Sequence, residues 1–167
     1  MSRRTVIGVM GGAACDERTA QLARELGRGI AEAGWVLLSG GRPTGVMQAS
    51  VSGARSAGGL TVGVLFDDNP GEAADDLDIV IPTGMGAARN VVNVLASDVV
   101  VACRGTGGTL SEIALALRFG RPVVLLDFDP GAAFLDAGGP LGRWTLVATP
   151  AEAVARVRAY LADQGRC

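Results

Sequence analysis

Apolar segments of two kinds alternate along the chain. Some are continuous runs of the length of a buried strand, and others repeat their apolar residues at helical spacing, as Leu22, Leu26 and Ile30 do. The continuous runs predict strands at Thr5–Met10, Trp35–Leu38, Leu60–Leu65, Leu77–Ile81, Asp98–Ala102, Pro122–Leu126 and Trp144–Val147. The helical spacing predicts helices at Asp16–Ala33, Gly45–Ala57, Met85–Ala96, Leu110–Phe119 and Ala151–Ala162.

Strands that alternate with helices favour a parallel sheet with right-handed connections. The length of 167 residues is that of one ordinary domain, and a hydrophobic content of 49% suits a sheet covered on both faces. We therefore predict an α/β fold: a Rossmann-like single domain over residues 1–167, with a parallel sheet of about seven strands and helices on both faces. The apolar excess also predicts a homo-oligomer, dimer or tetramer, formed through an apolar helix such as Gly45–Ala57 or Met85–Ala96.

Glycine-rich turns follow four of the predicted strands, at Gly11–Gly12, Gly40–Gly45, Gly84–Gly86 and Arg104–Thr109. In open parallel sheets, ligands bind beyond the carboxyl ends of the strands. Each turn alone has the ordinary explanation of a tight connection, but four at one edge of the sheet predict a ligand pocket. The acidic segment 67–78 reads as a surface loop and lacks a metal-ligand spacing.

The turn Arg104–Thr109 joins an apolar run to a helical pattern, which is typical of an anion site. Its glycines allow close approach of a ligand, and the N–H groups of the first helical turn face a negative charge. A phosphate is the expected ligand. The spacing of Thr109 and Glu112 also fits a capping box, which is a purely structural alternative.

The residue inventory excludes several mechanisms. The chain has no histidine, and all 15 of its basic residues are arginine. Without lysine it cannot hold pyridoxal phosphate as an aldimine or form a Walker-type phosphate loop, and without histidine it cannot form a Ser-His-Asp triad.

Charge and cysteine usage narrow the partners and the location. A net charge of −2 gives no general attraction to nucleic acid, and no apolar run is long enough to span a membrane. The cysteines Cys15, Cys103 and Cys167 show no paired spacing, and no signal peptide precedes the first strand. These observations predict a cytoplasmic protein with inert, unpaired cysteines.

Three segments resemble the Lonely Guy (LOG) proteins and the related molybdenum-cofactor carrier proteins. The LOG pattern Pro-Gly-Gly-x-Gly-Thr-x-x-Glu is similar to residues 104–112, and Gly-Gly-Gly-x-x-Gly-Leu-Met is similar to residues 40–47. Residues 83–90, Thr-Gly-Met-Gly-Ala-Ala-Arg-Asn, are closer to the carriers than to the Met-x-x-Arg-Lys block of LOG enzymes. Older descriptions call the family lysine decarboxylases, a label that this lysine-free chain does not support.

The resemblance implies two functions. A carrier would bind a phosphorylated heterocycle, either a nucleotide or a molybdopterin-type cofactor, without catalysis. A LOG-like phosphoribohydrolase would cleave the N-glycosidic bond of a nucleoside 5′-monophosphate to free base and ribose 5-phosphate, with Arg89 and Glu112 as catalytic residues and no catalytic cofactor. A nucleotide sensor built on the same fold is not separated from the carrier by sequence.

Arg104, Thr106 and Arg42 depart from the LOG loops, which have proline, glycine and glycine there. Two added arginines favour a more anionic ligand, such as a diphosphate or a phosphorylated pterin. Alternatively, they block the pocket or pair with acids across a subunit boundary. The candidate ligand-binding residues are Gly11, Gly12, Gly40, Gly41, Arg42, Thr44, Gly45, Met85, Arg89, Asn90, Arg104, Gly105, Thr106, Gly107, Gly108 and Thr109.

Overall fold

One sheet of seven strands runs through the computed structural model, which describes residues 3–165. Its strands are β1 (Val6–Met10), β2 (Val36–Ser39), β3 (Thr61–Leu65), β4 (Ile79–Pro82), β5 (Val99–Ala102), β6 (Val123–Leu126) and β7 (Trp144–Val147). The strand order is β4-β3-β2-β1-β5-β6-β7, and every neighbouring pair is parallel.

Within residues 3–165, six helices cover the two faces of the sheet. They are α1 (Glu17–Glu32), α2 (Gly45–Ser56), α3 (Arg89–Ala96), α4 (Gly107–Arg118), α5 (Ala132–Asp136) and α6 (Pro150–Asp163). Helices α1, α2 and α6 pack with one set of alternating strand residues, including Ile7, Val9 and Val101. Helices α3, α4 and α5 pack with the opposite set, including Val100 and Leu125. Alternate residues of the central strands thus serve two cores.

Glycine sets the close contact between α1 and α2. A Cβ atom at Gly53 would overlap the backbone carbonyl of Arg24, and one at Gly27 would overlap the carbonyl of Ser50. The two helices therefore approach almost backbone to backbone, which only glycine allows at these positions.

The predicted α/β fold, with a seven-stranded parallel sheet and helices on both faces, is confirmed. Most boundaries shift by one or two residues; for example, Asp16 caps α1 from outside and accepts a hydrogen bond from Thr19 N at 2.7 Å. The predicted helix Met85–Ala96 is divided into a 3₁₀ turn at Gly86–Ala88 and α3. Helix α5 and a 3₁₀ turn at Pro70–Glu72 were not predicted, because each is too short to show a period.

The capping-box alternative for Thr109 and Glu112 is wrong. Helix α4 begins at Gly107, three residues before the predicted start, so both side chains lie inside the helix. A capping box is present instead at α6, where Thr149 Oγ1 accepts from Glu152 N and the Glu152 carboxylate accepts from Thr149 N.

No helix within residues 3–165 is long and apolar enough to cross a membrane. Cys15 and Cys103 are free thiols, and burial raises the pKa of Cys103 to about 12, in keeping with the predicted inert role. Cys167 lies outside the described residues.

Candidate ligand-binding site

The strand order reverses direction between β1 and β5, which is where ligands bind in open parallel sheets. A cavity of about 480 Å³ lies there, at the carboxyl ends of β1, β2, β3 and β5. We call it the site cavity. Its lining residues are Val9, Met10, Gly11, Gly12, Ala13, Gly40, Arg42, Thr44, Met47, Phe66, Arg89, Asn90, Thr106, Gly108, Thr109 and Glu112.

The amino terminus of α4 opens into the site cavity. The N-cap residue Thr106 makes no side-chain capping bond, and its carbonyl accepts from Leu110 N at 3.0 Å. The three preceding N–H groups, of residues 107–109, come before the first intrahelical hydrogen bond. Together with the positive end of the helix dipole, they are suited to hold an anion.

Two glycine turns meet beneath this helix end. Gly12 N donates to Arg104 O at 3.1 Å, and a Cβ atom at Gly105 would stand 2.9 Å from Gly12 N. Gly45 has a positive φ of 53°, and Val46 N donates to Gly12 O at 3.0 Å. Gly45 and Gly105 therefore hold the loops together behind the site cavity and do not line it.

Arg89 is fixed by backbone carbonyls at the cavity wall. Its Nη1 donates to Gly40 O at 2.9 Å and to Val64 O, while its guanidinium lies 5.7 Å from the ring centroid of Phe66. Burial lowers the pKa of Arg89, and the nearby Glu112 carboxylate acts in the opposite direction. An anchored guanidinium at this place offers a positive charge in one geometry.

Asn90 contacts a neighbouring helix, and Arg42 contacts a neighbouring loop. Asn90 Nδ2 donates to Ser111 Oγ at 2.9 Å, which ties α3 to α4. Arg42 Nη1 lies 2.8 Å from Asp67 Oδ2 and 3.2 Å from Glu72 Oε2, and its guanidinium is 5.1 Å from the Phe66 ring centroid. The acids that pair with Arg42 thus belong to the same chain, so its charge is partly neutralised before any ligand arrives.

Glu112 is the buried acid of the site cavity. It is 7% exposed, and burial raises its pKa from 4.5 to about 7, although the hydrogen bond from Asn93 and the charge of Arg89 both act to lower it. Asn93 Nδ2 donates to Glu112 Oε1 at 2.9 Å. A carboxyl with a pKa near neutrality can act as a proton donor or acceptor at physiological pH.

Several candidate residues lie away from the site cavity. Met85 is 47% exposed, Gly107 lies in the first turn of α4 without lining the cavity, and Gly41 packs against Gly63 behind it. Arg104 lines a different cavity of about 950 Å³, between β7 and α6. The predicted pairing of Arg42 and Arg104 at one phosphate rim is therefore not seen.

Sequence reasoning missed five cavity-lining residues, Val9, Met10, Ala13, Met47 and Phe66, and the buried Asn93 that bonds Glu112. Phe66 directly follows β3 and lies under both Arg42 and Arg89, so its position at a strand end was the available signal. Asn93 lies one helical turn after Arg89, and its signal was a second amide, after Asn90, among the apolar residues of α3.

Most of the chain matches one known protein family. The SLOG cluster4 family signature matches residues 4–154. The chain belongs to this family. The predicted resemblance to LOG and molybdenum-cofactor carrier proteins is also confirmed, since similar structures and sequences come from both groups.

Two solved structures and one curated sequence illustrate this family. The molybdenum cofactor binding protein of Rippkaea orientalis is 41% identical with a TM-score of 0.90, and covers 96% of this chain and 99% of its own. The molybdenum cofactor carrier protein of Chlamydomonas reinhardtii is 44% identical with a TM-score of 0.85 over the same shares. The cytokinin riboside 5′-monophosphate phosphoribohydrolase of Mycobacterium tuberculosis is 36% identical over 132 residues, which is 70% of this chain and 68% of that one.

Proposed function

We propose that this SLOG-family protein binds a phosphorylated heterocyclic ligand, either a nucleotide or a molybdopterin-type cofactor, in the site cavity. The observation that carries the proposal is the amino terminus of α4, which opens into a glycine-bounded cavity at the strand-order reversal. The names of the Rippkaea and Chlamydomonas proteins support the cofactor as the ligand class.

The phosphate would lie against the N–H groups at residues 107–109, with Arg89 as a fixed countercharge nearby. The heterocycle would extend toward Phe66 and Met47, which supply aromatic and thioether surface in the same cavity. Binding of this kind needs no bond to be broken.

Gly108 allows a direct test of the phosphate position. It lines the site cavity in the first turn of α4, and a Cβ atom there would meet open space. Gly108→Glu adds a negative charge, whereas Gly108→Gln adds nearly the same atoms without charge, and both residues suit a helix better than glycine.

Isothermal titration with inorganic pyrophosphate, adenosine 5′-monophosphate and isolated molybdenum cofactor would compare the two variants. Two like charges about 5 Å apart repel by about 3 kcal/mol at an effective dielectric constant of about 20, so we expect Gly108→Glu to bind at least about 10-fold more weakly than Gly108→Gln. Equal affinities of the two variants would contradict the proposed phosphate position.

A second candidate function is phosphoribohydrolase activity. Glu112 favours it, because a buried carboxyl with a pKa of about 7 lines the same cavity and could deliver or accept a proton during glycosidic cleavage. The name of the Mycobacterium relative points the same way. Chromatography of a panel of nucleoside 5′-monophosphates would detect free base, with Glu112→Gln as the inactive control. No release by the folded wild-type protein would leave binding as the function.

We also propose a homo-oligomer in which a second copy covers the apolar surface between α3 and α4. Leu95 and Phe119, at the ends of these helices, are each more than two-fifths exposed, and Ala114, Leu115 and Phe119 line an apolar cavity between the helices. Phe119→Glu should shift the mass measured by light scattering to that of a smaller species, and Leu146→Glu, in the edge strand β7, should not. An unchanged mass for Phe119→Glu would place the interface elsewhere.

A cytoplasmic location remains our expectation, since Cys15 and Cys103 are free thiols. Cell fractionation with an antibody to the protein would test it, and recovery in an extracellular fraction would contradict it.

A further inference from the structure

Asn93 is a buried polar side chain in an otherwise apolar part of α3. It is 0% exposed, and its Nδ2 lies 2.9 Å from Glu112 Oε1 and 4.0 Å from the sulfur of Met10. An amide in such a place is costly unless its polar atoms are paired. Its hydrogen bond to Glu112 is the contact that it makes toward the site cavity, and Asn93 itself does not line the cavity.

One polar atom of this amide lacks a hydrogen-bond partner within the described residues. Asn93 Oδ1 is buried and has no hydrogen-bond partner within the part of the chain that the structure describes. Glu112 Oε2 likewise receives no hydrogen bond from residues 3–165, and Glu112 lines the site cavity. The pair therefore offers an unused acceptor on the amide and an unused oxygen on the carboxyl.

We propose that Asn93 is a positioning residue that holds one carboxyl oxygen of Glu112 inside the protein and leaves the other to the ligand, so that Glu112 exchanges a proton beside the bound ligand. As a carboxylate, Glu112 accepts from Asn93 Nδ2, as observed. As a carboxylic acid, it donates its O–H to Asn93 Oδ1 once the amide has turned by 180°. The same two side chains thus match both protonation states. The part of the inference that concerns the ligand rests on the proposed function.

The charged surroundings of Glu112 are simple. On α3, Arg89 favours the carboxylate, and Asp67 and Arg42 act on Arg89 from the loops that follow β3 and β2. The neighbouring strand β1 contributes the uncharged Val9 and Met10 to the cavity wall, and the turn after it contributes Gly11, Gly12 and Ala13, which are also uncharged. Burial outweighs these effects and holds the pKa of Glu112 near 7. The chain has no histidine, so this carboxyl is the group that exchanges a proton near neutral pH, as an imidazole does in many other proteins.

The proton equilibrium can be measured without any ligand. The chain contains only six glutamates, so carbon NMR of protein labelled at glutamate Cδ gives six resonances, and Glu112→Gln identifies one of them. We expect the Glu112 resonance to titrate near pH 7 in the wild-type protein. In Asn93→Leu, which is similar in size but lacks the amide, both bonds to Glu112 are lost. We expect the midpoint to rise by about one pH unit, because the bond to the charged carboxylate is stronger than the bond to the neutral acid.

Ser97→Ala is the control, because the buried Ser97 hydroxyl donates to the backbone carbonyl of Asn93 and makes no hydrogen bond with Glu112 within the described residues. Its Glu112 midpoint should equal that of the wild type. A Glu112 midpoint near 4.5 in the wild type would overturn the proposal even if Asn93→Leu failed to fold. An unchanged midpoint in folded Asn93→Leu would overturn it as well.

The ligand-dependent part has a separate readout. Titration calorimetry with adenosine 5′-monophosphate in buffers of different ionisation enthalpy counts the protons exchanged on binding. The ligand phosphate, with a second pKa of about 6, exchanges protons in both proteins. Near pH 7 we expect an additional fractional proton exchange by wild type that is absent in Glu112→Gln. Equal exchange by both proteins would overturn coupling to the ligand. Lack of any binding would overturn the proposed nucleotide function and the ligand coupling, while the NMR result would still decide the role of Asn93.

Discussion

Replacement of Glu112 by glutamine should stabilise the protein at pH 8 but not at pH 4.5. The Glu112 pKa of about 7 in the folded chain stands against an ordinary value of 4.5. Between these values the folded protein binds more protons than the unfolded chain, so wild-type stability falls as pH rises through this window. Each unit of pKa difference between the folded and unfolded chain corresponds to about 1.4 kcal/mol of stability. The upper limit for the loss of wild-type stability over the whole window is therefore about 3 kcal/mol.

Glutamine keeps the shape of Glu112 and can accept the bond from Asn93 Nδ2, but it does not ionise. Urea denaturation of both proteins at pH 4.5, 6, 7 and 8 measures the free energy of unfolding at each pH. The advantage of Glu112→Gln over wild type should grow toward pH 8 by up to about 3 kcal/mol. A difference that stays constant with pH would refute the reasoning.

Glu152→Gln is a control whose stability relative to wild type should change with pH in the opposite direction. Backbone N–H groups of Ala148 and Thr149 lower the pKa of the Glu152 carboxyl. Its contribution to stability is therefore present above the ordinary glutamate pKa and is lost as pH falls through the lower folded value. The variant should lose stability at neutral pH relative to acid pH, whereas Glu112→Gln gains it.

Three further predictions concern other parts of the fold. Gly53→Ala should lower the free energy of unfolding by about 1 to 3 kcal/mol or more, since its Cβ would overlap the Arg24 carbonyl. In Gly29→Ala the added Cβ would meet only a side-chain methyl, and a loss as large there would contradict this account. Thr149→Ala should cost about 1 kcal/mol in denaturant unfolding through loss of the α6 capping box, and no change would show that the cap is dispensable. Cys103 should resist iodoacetamide in the native protein, as peptide mass mapping would show, and rapid labelling would contradict its burial and its pKa of about 12.

Much of the fold could be predicted because buried parallel strands are continuous apolar runs. All seven predicted strands are present within two residues of their expected bounds at each end. Helix α5 was not predicted because its five residues form little more than one turn and follow an irregular segment that ends at Gly131. The start of α4 was misplaced because Gly107 and Gly108 disfavour helix by propensity, while the tertiary contacts of the loop place them in it.

The site was only partly predictable. Glycine turns marked the correct edge of the sheet, since strand ends determine where turns lie. Arg42 and Arg104 both lie in such turns, but their side chains enter different cavities, and side-chain direction depends on backbone conformation that the residue pattern does not encode. The contact of Asn93 with Glu112 depends on how α3 packs on α4, which no spacing within either helix reveals.

The central claim is that a phosphorylated ligand is held at the amino terminus of α4. The most direct measurement is the molybdenum and pterin content of wild type, Gly108→Gln and Gly108→Glu after incubation with isolated molybdenum cofactor and rapid gel filtration. The account predicts that wild type retains the cofactor and that Gly108→Glu retains at most about a tenth as much as Gly108→Gln, which has nearly the same side-chain size without the charge. Equal retention by Gly108→Glu and Gly108→Gln would contradict it.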